Sequence, residues 1–197
     1  MSLEAFAVSA GAVALGEIGD KTQLMAVLMA ARYRRPWTII AGILAATLIT
    51  HSAAGALGAG LNALLDPQWL RWGLGLGFIA VAVWMLVPED DGDDDDDEAP
   101  PARSRSTWGL FGLTMLMFIA AELGDKSQVA TLMLAARFES LLAVIAGATL
   151  GEMLAIVPAV LLGQGVLKRV PVRWLHRIAA AVFAALGLAV LSGLGSD

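Results

Sequence analysis

The chain has no cysteine, one tyrosine, two histidines and few charges for its length. Without cysteine there is no disulfide, no thiolate metal site and no cysteine nucleophile. Charged residues make up 16% of the 197, hydrophobic residues 58%, and the mean hydropathy is +0.73. That is well above the apolar share of an average soluble domain, and the length suits one compact membrane domain. No basic patch with interleaved aromatics occurs, so nothing points to nucleic acid. The net charge of -5 comes from one place: nine of the eighteen acids lie between Glu89 and Glu98. Elsewhere thirteen basic residues face nine acids, a net +4. The start, Met1-Ser2-Leu3-Glu4, lacks the basic opening of a signal or transit peptide, so no cleaved leader is expected.

What is present is a set of long apolar runs. Crossing the roughly 30 Å hydrocarbon layer takes about 20 mainly apolar helical residues. The pattern predicts six spans, near Ala5–Ala31, Trp37–Leu64, Leu70–Val87, Trp108–Ala136, Leu141–Leu167 and Trp174–Leu194. All six tryptophans (Trp37, Trp69, Trp72, Trp84, Trp108, Trp174) fall close to span ends, where aromatic belts sit. The loops after spans one, three and five, with their flanks, carry Arg32, Arg34, Arg35, Arg103, Arg105, Lys168, Arg169, Arg173 and Arg177. The opposite face carries only Arg71 and Arg137. The positive-inside rule therefore predicts both termini outside and residues 88–106 in the cytoplasm. That stretch, a like-charge run with proline at both ends, reads as an acidic disordered linker between a first half (1–87) and a second half (107–197).

Inside the apolar runs one polar phrase occurs twice. Glu17-Ile18-Gly19-Asp20-Lys21-Thr22-Gln23 is repeated 105 residues later as Glu122-Leu123-Gly124-Asp125-Lys126-Ser127-Gln128. The same shift, without a gap, lays Ala30-Ala31-Arg32-Tyr33 on Ala135-Ala136-Arg137-Phe138, Ile40-Ala41-Gly42 on Ile145-Ala146-Gly147, and Trp69-Leu70 on Trp174-Leu175. A repeat of three spans forces the fourth span to cross opposite to the first. The expected fold is therefore all-α and polytopic: six transmembrane helices arranged as two inverted three-helix repeats, with the motifs meeting at mid-membrane.

Ionisable groups within a membrane are costly and mark functional sites by default. On a continuous helix Glu17, Asp20, Lys21 and Leu24 share a face, as do Glu122 and Asp125. Each motif sums to -1 when ionised, so two facing motifs present about -2, matching one divalent cation. Oxygen ligands without cysteine or histidine favour a hard ion, Ca²⁺, Mn²⁺ or Mg²⁺. Glu17, Asp20, Glu122 and Asp125 are the expected charged ligands, with Thr22, Gln23, Ser127 and Gln128 as neutral donors. Lys21 and Lys126 are expected to balance charge, and Gly19 and Gly124 to permit local unwinding. Carboxylates crowded in a poorly polarisable setting bind protons readily, so the site suits metal or protons in turn. A salt bridge pinning helices is the plainer reading of one such cluster, and a weaker reading of two.

The doubled motif, the six spans and the acidic central loop resemble the family of bacterial, Golgi and chloroplast manganese/calcium transporters, including bacterial manganese exporters. The resemblance covers nearly the whole chain and implies cation/proton exchange, with Mn²⁺ or Ca²⁺ as transported substrate, no resident cofactor and no enzymatic activity. It also implies that the four motif acids are ligands and proton carriers. Lys126 stands where many relatives have arginine. Elsewhere Glu152 in span five aligns with Thr47, and it reads either as a proton relay or extra ligand, or as a helix-pairing residue. His51 in span two is either a proton-relay partner or a packing histidine. Alternatives to exchange are a divalent-cation channel or uniporter, an intramembrane metal-dependent enzyme, and a sensor acting through the acidic loop. Oligomeric state is left open.

Overall fold

The computed structural model describes residues 3–87, 106–163 and 172–193. The expected acidic linker, apart from Ser106, and the basic residues Lys168 and Arg169 lie outside the described residues. The described chain is helical, without strands: α1 (Leu3–Glu17), α2 (Lys21–Tyr33), α3 (Pro36–Leu64), α4 (Pro67–Leu86), α5 (Thr107–Glu122), α6 (Lys126–Arg137), α7 (Leu141–Leu162) and α8 (Val172–Leu191).

Local chemistry sets these boundaries. Arg34 ends α2 in the left-handed region at φ 51°, and Pro36 opens α3, where its missing N–H is harmless. Asp66 caps α4, its Oδ1 accepting from Gln68 N at 2.9 Å, with Pro67 as first helical residue. Ser106 caps α5 through Gly109 N at 3.1 Å.

Four helices, α3, α4, α7 and α8, are long and apolar enough to cross a bilayer, and a fifth span is counted if α5 and α6 act together. Large apolar side chains such as Leu48, Leu57, Leu76, Leu116, Leu154 and Leu188 point outward, while Glu17, Asp20, Glu122 and Glu152 are buried. That is the reverse of a water-soluble protein and suits a lipid surround.

Two expected continuous spans are corrected. Ala5–Ala31 is two helices broken at 18–20, and Trp108–Ala136 is two helices bent by 73° at 123–125. Fifteen and thirteen residues give α1 and α2 lengths of roughly 22 and 20 Å, too short to span singly. Polar Lys21, Gln23 and Arg32 dilute the hydropathy of α2. The break also replaces the shared-face argument. Glu17 and Glu122 end one helix, and Asp20 and Asp125 cap the next.

Helix directions follow from close approaches. A methyl at Gly147 would strike the Phe6 carbonyl, and one at Gly151 the Ala10 carbonyl, so α1 runs parallel to α7. Gly42 faces Phe111 and Thr114, and Arg35 Nη1 donates to Thr107 Oγ1 at 3.3 Å, so α3 runs parallel to α5. Thr47 meets Glu152 while His51 meets Thr149, so α3 and α7 are antiparallel. Gly42–Phe111 and Gly147–Phe6 are the same contact displaced by 105 residues on both partners. Backbones approach this closely only where the side chain is a hydrogen, the usual device of membrane helix packing. α4 and α8 pair with each other, Gly75 against Gly187 and Phe78 against Phe183 with ring centroids 6.1 Å apart.

Candidate cation site

The two motifs fold alike. Gly19 and Gly124 adopt φ 87° and 79°, the left-handed region open to glycine, and this turns the chain out of one helix and into the next. Asp20 N and Asp125 N each donate to the carbonyl of the preceding glutamate, Glu17 or Glu122, at 3.1 Å. Gly19 N donates to Gln23 Oε1 at 2.9 Å, and Gly124 N to Gln128 Oε1 at 2.8 Å. The glutamine oxygens, expected to face an ion, here close the break of their own motif. Gln23 Nε2 also donates to the Ala155 carbonyl on α7 at 2.7 Å, three residues before Pro158.

Hydroxyls stand between the acids. Thr22 Oγ1 lies 3.1 Å from Glu17 Oε2 and 3.2 Å from Asp20 Oδ2, and Ser127 Oγ lies 3.2 Å from Asp125 Oδ2. The motifs also meet each other. Glu17 lies near enough to Ser127, Asp125 and Glu122 of the second motif, and to its own Asp20, for their dipole and charges to act on its carboxyl. Glu122 accepts from Thr50 Oγ1 and lies 3.5 Å from Thr47 Oγ1. Thr47 Oγ1 donates to Glu152 Oε1 at 2.8 Å, so one hydroxyl stands between Glu122 and Glu152. Five carboxyl groups from α1, α5, α7 and the two breaks thus share one buried polar region. Helix C-termini, the negative ends of the helix dipoles, deliver both glutamates to it.

The lysines part company. Lys126 is buried and has a partner, whereas Lys21 is exposed and makes no salt bridge among the described residues. Among the described residues no three His, Asp or Glu side chains converge closely enough to hold one ion.

Comparison with known proteins places the chain in a family. A sequence profile described as "Divalent cation/proton antiporter GDT1" matches the chain twice, over residues 5–93 and 110–196. The chain belongs to the GDT1 family. Its members are transporters, not enzymes, and exchange divalent cations for protons. The chain is 41% identical over 188 residues to a protein of Vibrio cholerae named "Putative manganese exporter", covering 95% of this chain and 90% of that one. It is 28% identical over 197 residues to a GDT1-like protein of Synechocystis, covering 92% and 93% respectively. No solved structure matches it.

Within this GDT1 protein, Thr50, Thr149 and the Ala155 carbonyl join the network without having been expected there. Thr50 had a readable signal: Thr47, Thr50 and His51 sit at helical spacing on one face of an otherwise apolar span. Thr149 and the Ala155 carbonyl had none, because their roles arise only from packing against other helices.

Proposed function

We propose that this chain exports Mn²⁺ or Ca²⁺ from a bacterial cytoplasm in exchange for protons, through one midplane site built from both motifs. The carrying observation is that Thr47 and Thr50 of the first repeat reach Glu122 of the second motif, while Gln23 of the first motif bonds to the Ala155 carbonyl of the second repeat. Helix directions support an inverted repeat of six spans. With α1 parallel to α7, α7 antiparallel to α3 and α3 parallel to α5, α1 and α5 run in opposite senses.

Glu17, Asp20, Glu122 and Asp125 ligate the cation, with Thr22 and Ser127 turning their oxygens inward as it arrives. Gln23 and Gln128 hold the breaks and add carbonyl oxygens. Protons take the cation's place on the carboxylates when it leaves, so the site returns without exposing bare charge to lipid. Moving a divalent ion outward against an inside-negative potential costs about 4.6 kcal/mol per 100 mV, which requires a coupled counter-ion. The Arg35–Thr107 bond supports placing the basic α2–α3 junction on the same face as the end of the acidic linker, the cytoplasmic face by the positive-inside rule.

Proteoliposomes with an imposed pH gradient and an internal pH dye test this. Metal added outside should drive proton movement, and Glu17→Gln and Glu122→Gln should each abolish it while the protein still inserts. Metal flux without proton movement would indicate a uniporter. Near-normal exchange in both variants would refute the site.

A further inference from the structure

Two buried polar atoms beside the site have no hydrogen-bond partner: His51 Nε2 and Glu152 Oε2, which face each other 3.5 Å apart. Both residues are 1% exposed. Orphaned polar atoms in an interior are rare and call for an explanation. The remaining atoms of both residues are held. Glu152 Oε1 accepts from Thr47 Oγ1, and His51 Nδ1 lies 3.4 Å from Thr149 Oγ1. When Nδ1–H donates to Thr149, Nε2 turns its lone pair toward the free carboxylate oxygen. A metal-binding histidine is commonly set this way, with its second nitrogen bonded to an oxygen that fixes the tautomer.

The feature exists in one half only. Displaced by 105 residues, Glu152 falls on Thr47, His51 on Ile156 and Thr149 on Leu44. It is therefore not a product of the repeated packing. It is joined to the site through Thr47, whose hydroxyl lies 2.8 Å from Glu152 Oε1 and 3.5 Å from Glu122 Oε1.

We propose that Glu152 and His51 are a metal-selecting extension of the cation site, with Glu152 a fifth carboxylate ligand and His51 a nitrogen donor favouring a transition ion such as Mn²⁺ over Ca²⁺. This rests on the reading that Glu122 is itself a ligand. Oxygen donors alone serve both ions, whereas Ca²⁺ is held by oxygens and an imidazole favours transition ions over it. The ion reaches Glu122 within the second motif and is then shared with Glu152. Glu122 is the last residue of α5, and the Thr47 hydroxyl stands between it and Glu152. The two orphaned atoms close on the ion rather than on each other.

Purified full-length protein loaded with Mn²⁺ should show nitrogen hyperfine coupling in electron spin-echo spectra, and His51→Gln should remove it. In proteoliposomes His51→Gln should lower the Mn²⁺-to-Ca²⁺ ratio of kcat/KM by about tenfold. Thr149→Val, which keeps the side-chain shape, should shift the ratio the same way by less. Glu152→Gln should raise KM for both ions, with Glu152→Asp recovering part of the loss. Absence of nitrogen coupling in the unsubstituted protein overturns the proposal, as does an unchanged ion ratio in both the His51 and Thr149 variants. Equal loss for both ions would mark His51 as a packing residue only. If Glu122→Gln exchanges normally, the site reading itself fails. If it is inactive while the ion ratio ignores His51 and Thr149, only the extension fails.

Discussion

Replacing Gly42 by alanine tests whether the approach of α5 to α3 sets the position of Glu122. An added Cβ would lie 2.8 Å from Thr114 Cβ and 2.9 Å from the Phe111 carbonyl oxygen. Carbon atoms settle at about 3.5–4.0 Å, so α5 must retreat by roughly 1 Å. Backbone cannot swing aside as a side chain can. Overpacking of this kind costs about 1–3 kcal/mol, partly offset by the better helix propensity of alanine, about 1 kcal/mol. Gly60→Ala on the same helix isolates the contact, because nothing lies within 4 Å of its added Cβ. Comparing the two cancels the propensity gain and leaves a difference of about 1–3 kcal/mol. Retreat of α5 carries Glu122 away from Thr47 and Thr50, and a misplacement of about 1 Å at a reacting site can cost on the order of 100-fold in rate. Thermal unfolding in detergent should show Gly42→Ala melting below Gly60→Ala. Metal-driven proton flux should fall at least tenfold in the first and hold in the second. Equal melting and equal flux in both variants would refute the packing argument.

Gly124→Ala adds a Cβ into open space, so any loss reports the left-handed backbone alone, about 1–2 kcal/mol, readable as a lowered melting temperature. Asp20→Asn keeps a good helix cap but removes a charge, so stability should stay within about 0.5 kcal/mol while exchange is lost. Retained exchange would reduce Asp20 to a capping residue. Lys126→Gln should impair exchange far more than Lys21→Gln, whose effect on stability should stay within about 0.5 kcal/mol, since only Lys126 is buried. Deleting Asp90–Glu98 should leave exchange largely intact, and its loss would make the acidic segment part of transport.

Much of this protein was legible before any helix was packed. Apolar run lengths report membrane residence because the bilayer's thickness is fixed, and the doubled motif reports a site because buried charge is costly wherever it falls. The glycine inside each motif marked the place of the break, though a continuous helical face was expected across it. Local sequence determined those features since each can be read from a continuous stretch of chain without knowing what packs against it. Tertiary packing alone decided that α1 lies on α7 and α5 on α3, that Gln23 binds the Ala155 carbonyl, and that Thr50 binds Glu122. It also separated two lysines that the motif makes look equivalent, burying Lys126 and exposing Lys21. Those outcomes depend on which helix surfaces fit together, through glycines that admit a neighbour's carbonyl, and on side chains more than 70 residues apart reaching within 3.5 Å of each other. Spacing along the chain carries no record of such distances.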